Sequence, residues 1–90
     1  TNFEAVLVEL RVPRFYFHLY NDLDVVDREG EDLSDLADAR RFAVNQARGM
    51  AGENIKQHGR IDLRHRIDIE DESNSVLESV SFGDAITILR

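Results

Sequence analysis

Three histidines are the first residues to consider for metal or acid–base chemistry. They are His18, His58 and His65, and they are scattered along the chain. A zinc site needs several nitrogen or carboxylate ligands, often with two histidines four residues apart on one helix. No such pair occurs, although His18 and His65 could become neighbours across two strands. We therefore expect His18 to lie on a sheet face and His65 to be partly buried, with no bound metal.

An acidic run is the second candidate for a site. Its carboxylates lie between residues 22 and 32 and are opposed only by Arg28: Asp22, Asp24, Asp27, Glu29, Glu31 and Asp32. Hard cations such as calcium bind clusters of carboxylate oxygens. The calcium loop of the EF-hand, however, requires acidic or amide residues and a glycine at offsets that this run does not provide. The run favours a solvated hairpin tip, with a weak cation site as the alternative.

Motifs for nucleophilic catalysis or phosphate binding are missing from the sequence. The chain has no cysteine, and none of its serines lies in the Gly-x-Ser-x-Gly turn of a serine hydrolase. Gly49-x-x-Gly52 lacks the lysine and the preceding strand of a phosphate loop. We therefore predict a protein that is not an enzyme and has no cofactor. A small enzyme or metal-binding domain remains the third alternative, because spacing alone does not exclude a pair of catalytic carboxylates.

The charge of the chain argues against polyanionic partners. Its 90 residues include 11 Lys and Arg against 18 Asp and Glu, which gives a formal net charge of −7. An acidic surface repels nucleic acid and anionic membranes, although Tyr16 and Tyr20 beside arginines resemble a base-stacking sheet. No apolar run approaches the roughly 20 residues of a membrane span. We expect a small soluble cytoplasmic domain that binds neither nucleic acid nor membrane.

The segment after Pro13 predicts an antiparallel hairpin. Aromatic and aliphatic residues alternate with polar residues from Arg14 to Tyr20, which is typical of a strand with one buried face. Asn21-Asp22 supplies a turn, and residues 23–27 return as a short second strand. A second turn ends at Gly30, which is free to adopt a positive φ angle.

An amphipathic helix follows this hairpin. Apolar residues recur at helical spacing from Leu36 to Ile55, with Ser34 or Asp35 as the N-cap and Gly59 after the C-terminus. Gly49 and Gly52 weaken the pattern, since each glycine is about 1 kcal/mol less favourable in a helix than alanine. They are expected either to shorten the helix or to let another backbone approach closely.

The remaining sequence predicts a second hairpin and a short helix. Apolar and charged residues alternate from Ile61 to Glu70, as in a sheet with one buried face. Residues 71–75 are polar and turn-rich, and residues 76–82 return as a fourth strand. Ser81 and Asp84 resemble a capping box, which predicts a terminal helix over residues 83–89.

These elements define an α+β fold of order β-β-α-β-β, in which one helix covers one face of an antiparallel sheet. The opposite face would carry side chains from the first strand and arginines from the third. Tyr and Arg are frequent interface anchors, so this face predicts an interaction surface for a protein partner or a second copy of the chain. The candidate residues are Arg14, Tyr16, His18, Tyr20, Arg64 and Arg66.

The ordered motifs of this chain resemble a family of short, uncharacterised bacterial domains found in rhizobia and other alphaproteobacteria. Pro13-Arg14-Phe15-Tyr16-Phe17-His18 resembles its Pro-Arg-Tyr-Phe-Phe-His opening, and Leu33-Ser34-Asp35-Leu36 resembles its Leu-Pro-Asp-Leu. The resemblance implies a fold rather than an activity. Because relatives often begin near residue 12, we place the domain at residues 12–90. Residues 1–11, whose valines alternate with other residues, are then an extension or an extra strand.

A looser likeness at the level of the fold is to antitoxins of the HicB type, which is carried by residues 27–40. It implies a second hypothesis, in which the chain neutralises a small toxin. Our first hypothesis is a small, non-catalytic interaction or regulatory module. It would bind through the open face of the sheet or through one of its edges.

Overall fold

The computed structural model describes residues 12–90, so the predicted N-terminal extension or extra strand at residues 1–11 lies outside it. The described chain forms five strands and two helices, and the α+β class is confirmed. In order they are β1 (Arg14–Tyr20), β2 (Asp24–Val25), β3 (Glu31–Asp32), α1 (Leu36–His58), β4 (Arg66–Glu70), β5 (Val76–Ser81) and α2 (Phe82–Ala85). Within this described part, no helix is long and apolar enough to cross a membrane.

All strand pairs are antiparallel, and β1 and β4 form the centre of the sheet. The strand order is β2-β1-β4-β5, while β3 pairs with the opposite end of β1 from β2. In the central pair, Tyr16 lies opposite Glu70 and Tyr20 lies opposite Arg66. Directly opposed residues share one face of a sheet, so this register determines which side chains meet on each face.

Helix α1 forms because its ends are capped and its buried stripe is built from alanine. The carboxylate of Asp35 accepts a hydrogen bond from the Asp38 N–H at 2.8 Å, and Gly59 ends the helix with a φ of +67°. Buried alanines recur every four residues at positions 39, 43, 47 and 51. Such small side chains let a helix lie close to a sheet. Gly49 and Gly52 neither shorten α1 nor admit another backbone, since the space beside each is open.

The core lies between α1 and one face of the sheet. Its main contributors from the strands and α2 are Phe15, Phe17, Leu19, Ile67, Ile69, Val80, Phe82 and Ala85. The Phe17 ring packs against Phe42 of α1, with 4.6 Å between the ring centres. Both helices contribute to this core, so no described element is left to cover the other face of the sheet.

The predicted strand from Ile61 to Glu70 is wrong in its first half. Only residues 66–70 are a strand, because local turn contacts hold the preceding segment. The carboxylate of Asp62 accepts the Arg64 N–H at 2.9 Å, and the Asp62 carbonyl accepts the His65 N–H at 3.3 Å. The carbonyls of Leu63 and His65 in turn accept N–H bonds from the first residues of α2. This loop therefore anchors α2 and does not extend the sheet.

The other short elements also differ from their predicted lengths. The return strand predicted at residues 23–27 is limited to Asp24–Val25, and β3 was not predicted. The terminal helix is confirmed but runs only from Phe82 to Ala85. Its predicted capping box is present, because Ser81 and Asp84 each accept the other's backbone N–H through their side chains.

Candidate interaction surface on the open face of the sheet

The face of the sheet opposite α1 brings together five of the six predicted surface residues, with Arg14 at its rim and Arg64 outside it. Tyr16, His18 and Tyr20 alternate along β1, and Arg66 faces Tyr20 from β4. We call the surface formed by these residues and their neighbours the open face. The neighbours that the sequence analysis did not select are Asp68 and Glu70 of β4 and Ser79 of β5. For Asp68 and Glu70, the available signal was their position on the charged side of the alternation in β4.

A buried carboxylate anchors the centre of the open face. Asp68 is only 7% exposed. Its carboxylate accepts hydrogen bonds from Ser79 Oγ at 2.6 Å and from Arg66 Nε at 3.1 Å. A buried charge is unfavourable unless it is paired and hydrogen-bonded, and Asp68 meets both conditions. Its contact with Arg66 also fixes the guanidinium group in one position on the face.

The same guanidinium group stacks on an aromatic ring. The Cζ atom of Arg66 lies 4.4 Å from the centre of the Tyr20 ring, which is within the range of about 6 Å for a cation–π interaction. Arg66 remains exposed to solvent on its outer side. Arg and Tyr are enriched among the residues that dominate binding energy at interfaces. The pair is therefore ordered and accessible to solvent.

His18 is held by partners on both sides of its ring. Its Nδ1 accepts the Asp27 N–H at 3.0 Å, so the ring proton resides on Nε2. The Nε2 atom lies 3.3 Å from the Glu70 carboxylate, where it can donate its proton. Both ring nitrogens are thus engaged, and His18 positions the β1–β4 pair instead of offering a free nitrogen to a metal.

Asp27 fills the gap between β2 and β3 along the edge of β1. Its carboxylate accepts three backbone N–H bonds, from Phe17, Glu29 and Gly30, each at 3.1 Å. Burial raises the pKa of the Asp27 carboxyl, but the three N–H bonds outweigh burial and hold that pKa below its usual value. Gly30 is required here, because its φ is +72° and a Cβ atom would lie 2.9 Å from the Tyr16 ring and the Phe15 carbonyl.

Both edges of the sheet are poorly suited to pairing with another chain. In β5 the register shifts at Leu77, because Glu78 lies opposite Ile69 while Val76 lies opposite Glu70. Helix α2 then begins directly after β5. At the other edge, β2 and β3 are two residues each and are separated by the Asp27 loop. Bulges and short strands hinder the addition of a further strand at either edge.

Arg14 lies at the rim of the open face and is already engaged. Its guanidinium group donates two hydrogen bonds to Asp32, at 2.9 and 3.1 Å, and a third to the Glu29 carbonyl at 2.7 Å. The hydrogen bonds to Asp32 raise the pKa of Arg14 further above its usual value. Arg14 therefore ties β3 to β1 and has less freedom than Arg66 to contact a partner.

Arg64 does not share a strand face with Arg66, which corrects its predicted position. It precedes β4, and its side chain is 90% exposed and pairs with Asp62 through two hydrogen bonds of 3.0 and 2.9 Å. These bonds to Arg64 hold the pKa of the Asp62 carboxyl well below its usual range. The alternating pattern through Ile61–Glu70 misplaced Arg64, because it did not reveal this local turn.

A polar cleft of about 770 Å³ lies where the turn after β1 meets the loop before β4. His65 lines the cleft, with Nε2 at 3.6 Å from Asp22 and 3.7 Å from Asp62. Its Nδ1 is buried and finds no hydrogen-bond partner among residues 12–90, and its ring packs edge-on against Phe82. Metal-bound histidines usually donate the second ring N–H to an acceptor, which His65 lacks.

The side chains of residues 12–90 form no metal site. No group of three or more His, Asp or Glu side chains in this range is placed to hold an ion. His18 and His65 have separate partners, and Asp27 and Asp32 of the acidic run are occupied by backbone N–H groups and by Arg14. Asp27 and Asp32 therefore support the structure of the hairpin.

The fold and the open face define a small α+β domain with a preorganised Tyr–Arg surface. The model of the domain of unknown function DUF6894 matches residues 14–83, and the chain belongs to this family. The prediction of an uncharacterised domain family is thereby confirmed. No match was found among curated proteins or among solved structures. The HicB likeness and the bacterial origin stay predictions.

Proposed function

We propose that this chain is a non-catalytic interaction domain that binds another protein through the open face. The observation that carries the proposal is the Tyr20–Arg66 pair, which is accessible and is held by the buried Asp68. A fixed anchor loses little conformational freedom on binding, so more of its contact energy is available for affinity. Tyr16 extends the same surface along β1.

The charge of the open face favours a different protein over a second copy as the partner. The register places four carboxylates on this face, from Asp24, Asp32, Asp68 and Glu70, against the two arginines Arg14 and Arg66. Two copies would bring like charges together in addition to their formal net charge of −7 each. A partner with a basic or neutral surface and apolar groups avoids this repulsion.

Native mass spectrometry of the untagged protein, purified gently from its own host, tests the proposal. We expect a complex with one other protein, which is lost in the Tyr16→Ala/Tyr20→Ala variant and retained in the Lys56→Ala/Gln57→Ala control on the exposed end of α1. A variant with a smaller change, Arg66→Lys, keeps a cation beside Asp68 but loses the planar stacking group. It should fold and bind at least about tenfold more weakly.

Three other outcomes of this experiment would contradict the proposal, and one would specify it. A chain without any protein partner, or a complex that survives all open-face variants, would refute binding through this face. A complex of two copies would replace the proposed partner with the chain itself. A small toxin as the bound protein would fulfil the proposal in the form of the antitoxin hypothesis.

A further inference from the structure

A second concave surface lies on the helix side of the sheet, away from the open face. It is a groove of about 470 Å³ between α1 and the segment that links β1 to β3. Seven apolar residues line it beside charged and polar ones, and we call it the apolar groove after the former. The apolar residues that line it are Phe17, Leu19, Val25, Val26, Phe42, Met50 and Ile67.

The outer wall of the apolar groove exposes aliphatic side chains to solvent. Val25 is 53% exposed and Val26 is 58% exposed, and the half-buried Phe42 and Met50 face them from α1. A single exposed apolar residue is common, but a contiguous apolar patch that continues into a concave floor is typical of a binding site. The groove is therefore shaped to receive an apolar group.

The charge around the apolar groove selects the kind of partner. The exposed Glu29 and Glu31 line its rim together with Asp27 and Arg28, so the charged lining has three carboxylates against one cation. Neither glutamate forms an ion pair with another residue in the 12–90 range, whereas Asp32 beside them is paired with Arg14. A basic segment would gain attraction from these two carboxylates, while an acidic segment would be repelled.

We propose that the apolar groove binds an apolar side chain carried on a basic segment of a partner protein. The aliphatic walls and the Phe17–Phe42 floor would bury the apolar anchor, and the two rim glutamates would contact flanking lysines or arginines. The proposal goes beyond the function of the open face, because it concerns another surface with its own variants. Either surface can fail its test without affecting the other.

Fluorescence anisotropy with a matched pair of labelled peptides tests this inference on the full chain. The probe has two central leucines with lysines on both sides, and in its counterpart each lysine is replaced by glutamate. We expect the lysine peptide to bind at least about tenfold more tightly than the glutamate peptide, with an affinity that falls as salt screens the charges. Chemical-shift changes in the protein should be confined to residues 17–31 and 42–50 and to Ile67.

Two substitutions separate the apolar and electrostatic contributions. Val26→Asp places a further negative charge beside the groove, so attraction by charge alone would strengthen binding of the lysine peptide. We expect at least about tenfold weaker binding instead, because the apolar wall is lost. Glu29→Gln/Glu31→Gln should weaken binding several-fold and reduce its salt dependence.

Matched controls lie at the opposite edge of the sheet and in the turn before it. Leu77→Asp changes an exposed aliphatic residue of β5, and Glu72→Gln removes an exposed carboxylate from the β4–β5 turn. Both should leave binding unchanged. Equal binding of the two peptides, tighter binding after Val26→Asp, or equal losses in the controls would overturn the inference.

Discussion

Replacing Asp27 with asparagine should destabilise the domain in a manner that depends on pH. The carboxylate accepts three backbone N–H bonds at 3.1 Å and closes the gap between β2 and β3. Asparagine has nearly the same shape but only one acceptor oxygen, so its uncharged amide can keep the bonds from Glu29 and Gly30 only by turning its NH2 donor toward the Phe17 N–H. A hydrogen bond to a charged group contributes about 1.5–3 kcal/mol and a neutral one about 1 kcal/mol. Because water reaches part of this loop, we expect a total loss of about 1.5 kcal/mol at pH 7.

The sign of the pH dependence follows from the lowered pKa of Asp27. The unfolded chain takes up a proton at this carboxyl near its ordinary value of 3.8, while the folded chain does so only at lower pH. The stabilisation is therefore complete above the unfolded pKa and is lost as the pH falls through the folded pKa. The asparagine side chain of the Asp27→Asn variant does not titrate, so the difference in unfolding free energy between the two proteins should shrink below about pH 4.

Urea unfolding followed by circular dichroism measures this difference at pH 7 and at a series of lower pH values. Asp24→Asn is the matched control, since Asp24 lies in the same hairpin, is exposed, and accepts no side-chain hydrogen bond from residues 12–90. Its unfolding free energy should stay within about 0.5 kcal/mol of the parent value. Two results would refute the role of the Asp27 carboxylate in closing the gap between β2 and β3. One is a loss below about 0.5 kcal/mol for Asp27→Asn at pH 7, and the other is a difference in unfolding free energy that persists unchanged to pH 3.

Thermal unfolding checks the remaining predictions. Gly30→Ala should destabilise by roughly 2 kcal/mol or more, because the positive φ and contacts of 2.9 Å leave no room for a Cβ atom. Gly49→Ala and Gly52→Ala should each stabilise by about 0.5–1 kcal/mol, because both lie inside α1 with open space beside them. Asp35→Ala should cost about 1 kcal/mol through loss of the N-cap. A stable Gly30→Ala variant or unstable helix variants would contradict these assignments.

The sequence predicted the elements that depend on periodic burial and recognisable caps. The alternation in β1 and the alanine-containing stripe of α1 each repeat often enough to identify a strand and a helix. Asp35, Gly59 and the Ser81–Asp84 box mark ends by well-defined local chemistry. The helix passes through Gly49 because packing of its alanine stripe outweighs the low helix propensity of glycine.

The predictions from the sequence were wrong where side-chain hydrogen bonds replace regular backbone pairing. Residues 61–65 alternate like a strand, but Asp62 engages Arg64 and turns the chain toward α2. Strands β2 and β3 have two residues each, which is too short for a period to be visible. Asp27 bonds to the edge of β1 through its carboxylate, and sequence spacing does not distinguish that role from a solvated acid.

Prediction from the sequence was limited in the same way for the residues of the open face. The alternation predicted that Tyr16, His18 and Tyr20 share a face, and this part of the arrangement follows from β1 alone. Bringing Arg66 to Tyr20 required the register between β1 and β4, which depends on pairing across distant segments. Arg64 was placed beside Arg66 only because the strand was predicted to begin too early.

The edges of the sheet and its faces together explain where recognition is favoured. The Asp27 carboxylate satisfies the Phe17 N–H that a neighbouring strand would otherwise bind, and the bulge at Leu77 disturbs the opposite edge. Both features discourage strand addition, which is the common route to uncontrolled association of small sheets. The interactions proposed above therefore depend on side chains. The Tyr20–Arg66 pair and the apolar groove are the two surfaces at which, under these proposals, substitutions should alter binding without opening the sheet.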